Sequence, residues 1–197
     1  MNNDVLKSKI KNIVRSDHDN LHKKVQIIAI ITKALEVKGI TPVIVGGQAV
    51  EFYTSGGYAT MDIDMLCELS ISEIDSVLKP LGFFREGKYW IIEEKDFELA
   101  LEVPSGPLAG SWDKVIKVRT NEGMFAYFIG IEDIIIDRLN RYKFWREFSD
   151  EEWVLGMIIL NYEEIDWDYT NKRAEQEGTL NELRDFKAKA EEILNKK

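Results

Sequence analysis

Scarcity is informative in this chain. Its 197 residues include one cysteine, Cys67, and only two histidines. A single thiol excludes an internal disulfide, so a reducing setting is expected. His18 and His22 are spaced i, i+4, which would put two imidazoles on one helix face. The rest of an HExxH motif is missing, so they read as a polar first turn. No apolar run approaches the ~20 residues needed to cross a bilayer. The opening MNNDVLKSKIKN lacks the apolar segment of a secretory signal, and a cytoplasmic protein is expected. Positive charge is also short: 26 Lys and Arg stand against 35 Asp and Glu, for a net charge of −9. That argues against a large surface for duplex nucleic acid, which needs clustered cations. Repeats and low-complexity segments are absent.

What is present describes a soluble globular chain. Hydrophobic residues make up 45% and charged residues 31%, an ordinary balance. The length suits one domain, or one domain with a helical annex. A chain of this size buries roughly 70% of its unfolded surface.

The stretch Pro42–Leu66, PVIVGGQAVEFYTSGGYATMDIDML, carries the chemistry. Pro42-Val43-Ile44-Val45 is apolar and β-branched and runs into Gly46-Gly47, which predicts a buried strand and a tight turn. Gln48–Thr54 has helical character and stops at Ser55-Gly56-Gly57. In Met61-Asp62-Ile63-Asp64-Met65-Leu66, apolar residues alternate with two carboxylates, the period of a strand. Asp62 and Asp64 therefore share one face, about 7 Å apart at Cα, and can converge on one point. Two like charges that close repel by about 1 kcal/mol in water, and by about 4 where partly buried. A cation between them relieves this, and hard oxygen ligands suit Mg²⁺. Free N–H groups at the helix start after the diglycine would accept phosphate.

Gly46-Gly47, a short helix and Thr60-Met61-Asp62-Ile63-Asp64-Met65 together resemble the signature of nucleotidyltransferases of the DNA polymerase β type. The nearest flavour is the small bacterial AbiEii-like and DUF6036-like group. The resemblance covers roughly residues 30 to 145. Its spacer, Gln48 to Met61, is 14 residues, slightly longer than usual, and the basic residue many relatives carry near Tyr58 is missing. The resemblance implies an α+β fold: a mixed β-sheet with flanking helices, a nucleotidyltransferase-like domain over 1–145 and a C-terminal helical extension over 146–197. It implies transfer of a nucleoside monophosphate from an NTP to a hydroxyl on a protein, an RNA or a small molecule. Asp62 and Asp64 would bind Mg²⁺. Glu102 would complete a second metal position or take the acceptor proton. Gly46, Gly47 and Thr60 would contact nucleotide phosphates. By family analogy the protein would belong to a toxin–antitoxin or phage-defence pair. The alternative is a descendant that kept the fold as a nucleotide-binding or protein-interaction module without turnover. A glycosidase pair is disfavoured, because those carboxylates flank a sugar and do not sit at i, i+2 on one strand.

The flanking sequence supplies the rest. A short amphipathic helix is expected over Val5–Val14. A second helix, over Asn20–Lys38, would be capped by Ser16 or Asp17, ended by Gly39 and faced by Val25, Ile28, Ile31, Leu35 and Val37. Ser72-x-x-Asp75 reads as a capping box for a helix to Leu81. Cys67 reads as a buried structural thiol, with no base beside it. Phe83–Val103 reads as strands, with a hairpin turning at Glu93–Asp96. On Phe97–Val103, Glu98 and Glu102 share one face, so either can be the third carboxylate. Pro104–Gly110 is a loop, and Val115–Val118 and Met124–Ile129 form a hairpin about Thr120–Gly123. Glu132–Trp145 reads as a helix, and the run from Ile131-Glu132-Asp133-Ile134 to Leu139 resembles a helix of the same DUF6036-like group. Its Arg138, Arg141 and Lys143 are candidates for phosphate contacts or for ordinary salt links. Ser149 is expected to cap a helix to Leu160. Ile165–Tyr169 reads as a connector with a weaker acidic alternation. The last helix, Leu180–Leu194, reads as an annex helix or as a pairing surface for a second copy or a partner protein.

Overall fold

The computed structural model describes residues 2–94, 97–121 and 123–196. The chain divides into two compact units. The first comprises residues 1–48, 59–107 and 115–128, and the second comprises 49–58, 108–114 and 129–197.

The first unit opens with helix α1 (Asn3–Val14) and helix α2 (Asn20–Leu35). The α2 cap is Asp19, not Ser16 or Asp17: its carboxylate accepts from the His22 backbone N–H at 2.9 Å and lies 2.6 Å from His22 Nδ1. One of the two histidines is thus occupied in closing a helix end. A 3-10 turn (Glu36–Lys38) and left-handed Gly39 finish the helix, and Val37 is exposed there rather than facing the core. Ile27 to Ile31 are buried without a break, the mark of a helix enclosed on most sides.

Strand β1 (Val43–Val45), helix α3 (Gly46–Tyr53), strand β2 (Asp62–Leu66) and helix α4 (Ile71–Leu81) follow. The boundary between the units falls inside α3. The α4 capping box is Ser70 with Glu73, two residues earlier than the sequence suggests. Asp75 instead pairs with Lys79 and accepts the Trp90 indole N–H at 2.8 Å. Next come β3 (Phe84–Glu86), β4 (Tyr89–Glu94), β5 (Phe97–Glu102), β6 (Ile116–Arg119) and β7 (Phe125–Phe128). Of the two turns expected at Glu93–Asp96 and Thr120–Gly123, Lys95, Asp96 and Glu122 lie outside the described residues.

All seven strands form one mixed sheet, in the order β3-β4-β5-β2-β1-β7-β6. β1 and β2 are antiparallel, and β2 and β5 are parallel. A parallel pair needs a crossover, and α4 with β3 and β4 provides it. The two faces of β2 and β5 differ sharply. Ile63, Met65, Leu99 and Leu101 are at most 1% exposed and form the core face with Ile44 and Phe128. The alternate positions Asp62, Asp64, Ala100 and Glu102 are half-buried on the other face.

The second unit is helical: α5 (Ile131–Phe144), α6 (Asp150–Leu160), α7 (Trp167–Glu177) and α8 (Leu180–Leu194). α7 occupies the segment expected to be a connector. Asp166 caps it by accepting from the Tyr169 N–H, so that acidic alternation marks a helix start. Ser149 makes no capping hydrogen bond, and its hydroxyl donates to Glu147. Leu183, Phe186 and Ala190 of α8 are buried. Asp133, fully buried, accepts from the Ser111 N–H at 2.9 Å and the Tyr169 hydroxyl at 2.8 Å, with Arg173 Nε at 3.4 Å. These contacts clamp the 108–114 loop to α5 and α7. Among the described residues no helix is long and apolar enough to cross a membrane.

Candidate functional site

Sheet register decides which carboxylates meet. Asp64 stands opposite Glu102, and Asp62 opposite Ala100, across the parallel β2–β5 pair. Paired residues on neighbouring strands point to the same side, so Asp62, Asp64 and Glu102 emerge together. One oxygen from each lies within 4.8 Å of the others. Among the described residues no other three His, Cys, Asp or Glu side chains converge this closely. Glu98, the competing third carboxylate, lies two pleat repeats along β5 from Glu102, opposite Glu93 on β4. It is exposed and lines a separate cleft with Asn20, Lys24, Thr60, Met61, Glu93 and Phe97.

Neighbours hold the triad in shape. The Thr60 hydroxyl donates to Asp62 Oδ1 at 2.6 Å, and the Thr60 carbonyl accepts from Lys24 Nζ at the edge of the cleft. Gly46 opens α3 with φ +60°, so α3 begins at the diglycine itself, two residues before Gln48. A Cβ on Gly46 would lie 2.1 Å from Asp64 Oδ2. Only glycine leaves room for that carboxylate, and only glycine adopts that backbone freely. Register partners Val45 and Asp64 fix the approach.

The triad suits a small divalent ion. Mg²⁺ holds oxygen at about 2.1 Å, which puts ligand oxygens about 3.0 Å apart when adjacent and 4.2 Å when opposite. Oxygens within 4.8 Å need only small rotations to close on such a shell. A fourth charged group complicates the picture. Lys88 Nζ lies 2.7 Å from Glu102 Oε2. The sequence signal for it was the two-residue break Gly87-Lys88 between Phe84–Glu86 and Tyr89–Glu94, a hairpin hidden inside a continuous strand-like run.

The other basic candidates are engaged within the second unit. Arg141 Nε lies 2.9 Å, and an Arg138 guanidinium nitrogen 3.5 Å, from the buried Asp150 carboxylate. Lys143 holds Glu182 at 3.0 Å. These are the ordinary salt links among the two readings of that helix.

A mixed sheet with three acids gathered beside a diglycine helix start defines a nucleotidyltransferase-like fold. A solved structure supports the fold: an antigenic nucleotidyltransferase-like protein from Paracoccidioides brasiliensis aligns with TM-score 0.54 and 19% identity, over 72% of this chain and 77% of that one. The antibiotic-resistance factor ANT(2'')-Ia aligns with TM-score 0.48 and 15% identity, over 88% of this chain and 98% of that one. No curated protein matches the chain. The chain belongs to the family described as "Nucleotidyltransferase of unknown function (DUF6036)", whose model matches residues 21–196.

Proposed function

We propose that the protein is a Mg²⁺-dependent nucleotidyltransferase that moves a nucleoside monophosphate from an NTP to a hydroxyl acceptor on a protein, an RNA or a small molecule. The observation that carries this reading is the convergence of Asp62, Asp64 and Glu102 within 4.8 Å. Asp62 and Asp64 hold the ion, and Glu102 completes the metal site or accepts the acceptor's proton. Bound Mg²⁺ shields the triphosphate and polarises the α-phosphoryl group. Thr60 keeps Asp62 turned toward the site. Gly46 and Gly47 let phosphate approach the α3 backbone with no Cβ in the way. The acceptor oxygen bonds to the α-phosphorus, the bond to the β-phosphate oxygen breaks, and pyrophosphate leaves.

The test is pyrophosphate release with Mg²⁺ and each NTP, comparing wild type with Asp62→Asn and Asp64→Asn. Both variants should lose turnover yet keep wild-type circular dichroism, since removing charge from a crowded anionic site does not unfold it. Turnover retained in both would end the proposal.

A second reading is a nucleotide-binding or protein-interaction module without turnover. The Lys88–Glu102 ion pair at 2.7 Å favours it, because a lysine there neutralises the third carboxylate. Calorimetric binding of Mg²⁺ and NTP without pyrophosphate release would select it.

A further inference from the structure

Lys88 sits where a merely solvated lysine would not need to be. The hairpin joining β3 and β4 turns at Gly87, whose φ is +59°. Tyr89 is the register partner of Glu102, so the residue before it is delivered to the end of that carboxylate. Lys88 Nζ lies 2.7 Å from Glu102 Oε2 and 4.9 Å from the centre of the Tyr89 ring. Its side chain is 61% exposed, so the ammonium can swing without disturbing the fold. Three carboxylates in one small volume repel one another, and a lysine offers a compact charge on a flexible stem.

We propose that Lys88 is a displaceable cation of the triad. It neutralises Glu102 until a divalent ion arrives, then turns to the triphosphate that comes with the ion. This rests on the metal-site reading of Asp62, Asp64 and Glu102. The two cations compete: a metal about 2.1 Å from a Glu102 oxygen and an ammonium on the same carboxylate would stand within a few ångströms, where like charges repel. The expelled ammonium is then on hand for a phosphate oxygen, which it binds as a point charge. Tyr89 gives it an intermediate resting place over the ring face. The ion pair that favours a silent module thus becomes part of nucleotide capture.

The experiment titrates wild type, Lys88→Ala and Lys79→Ala with Mn²⁺ by calorimetry, without nucleotide. It then titrates each Mn²⁺-saturated protein with an α,β-methylene ATP analogue. Lys79 pairs with Asp75 on α4, so Lys79→Ala removes the same charge away from the triad. Lys88→Ala should bind Mn²⁺ about two- to fivefold tighter, the scale of an exposed ion pair, while Lys79→Ala matches wild type. Lys88→Ala should then bind the analogue about tenfold more weakly. Equal Mn²⁺ affinity in the two variants, or unchanged analogue affinity in Lys88→Ala, overturns the assignment while leaving the metal site intact. A wild-type protein that takes up no Mn²⁺ refutes the metal site and Lys88 with it.

Discussion

Gly46→Ala separates what the backbone requires from what the site requires. Two costs are built into position 46. The first is conformational: at φ +60° an L side chain crowds its own carbonyl, at about 1–2 kcal/mol. The second is steric and local: the new methyl would lie 2.1 Å from Asp64 Oδ2 and 2.9 Å from its Cγ. The carboxylate is the end of a short side chain, so it rotates away instead of breaking the sheet. Gly39 supplies the control. It too is left-handed, at φ +71°, and a Cβ there meets nothing within 4 Å. Gly39→Ala and Gly46→Ala should therefore lose similar stability in urea denaturation, about 1–2 kcal/mol each. They should part in Mn²⁺ titration. Gly39→Ala should match wild type, and Gly46→Ala should bind about 10- to 100-fold more weakly, the usual loss when a ligand's supporting neighbour is changed. Wild-type Mn²⁺ affinity in Gly46→Ala would refute the reasoning, since it would mean that Asp64 holds no ion or that α3 does not aim it.

Glu102→Gln should abolish pyrophosphate release while Glu98→Gln stays within about threefold of wild type, because only Glu102 shares the register row of Asp64; the reverse order would reassign the third acid. The Gln48 amide is fully buried with no partner for either polar atom among the described residues. Gln48→Met should thus raise stability by about 1–2 kcal/mol in urea denaturation, and a loss would show that the amide is satisfied by something bound. Burial, with the nearby Glu73 and Glu68 charges, pushes the Cys67 thiol up to about 11. Alkylation by iodoacetamide at pH 8 should therefore be slower in the folded protein than in urea, on the order of 100-fold. The folded thiol keeps its proton where the unfolded one loses it. Its contribution to stability is therefore complete below about pH 9 and falls as pH rises toward 11; equal alkylation rates would refute the burial.

The triad was legible because strand periodicity is short-range. Asp62 and Asp64 needed only a period of two to share a face, and Phe97–Val103 needed only the same period to offer Glu98 and Glu102. Choosing between those two required the β2–β5 register, which places Asp64 opposite Glu102. Register is a long-range property, set where Ile63, Met65, Leu99 and Leu101 lock together on the core face. Lys88 was illegible for a related reason. Gly87-Lys88 is a brief break inside a run that reads as one strand, and its meaning appears only when β4 is laid beside β5.

Helix boundaries shifted in both directions, later at α2 and earlier at α3 and α4, and the cause is local chemistry. Several residues can cap a helix within a few positions, and tertiary contacts choose among them. Ser70 and Ser72 both precede Ile74, but Trp90 claims Asp75, leaving Glu73 to complete the box with Ser70. Asp166 and Asp168 read as an acidic alternation in a connector until Asp166 is seen capping α7 and holding Lys114 at 2.7 Å. The same residue types, aspartates at i, i+2, thus serve opposite ends in the two units. In β2 they share a sheet face with a third acid, and charge accumulates there. At the start of α7 one of them is neutralised by backbone N–H and a lysine, and none accumulates. What separates a candidate metal site from a helix cap is therefore how many carboxylates the surroundings bring to one point. In this chain Asp62, Asp64 and Glu102 are brought together in that way, and Lys88 is the ammonium the fold sets against Glu102.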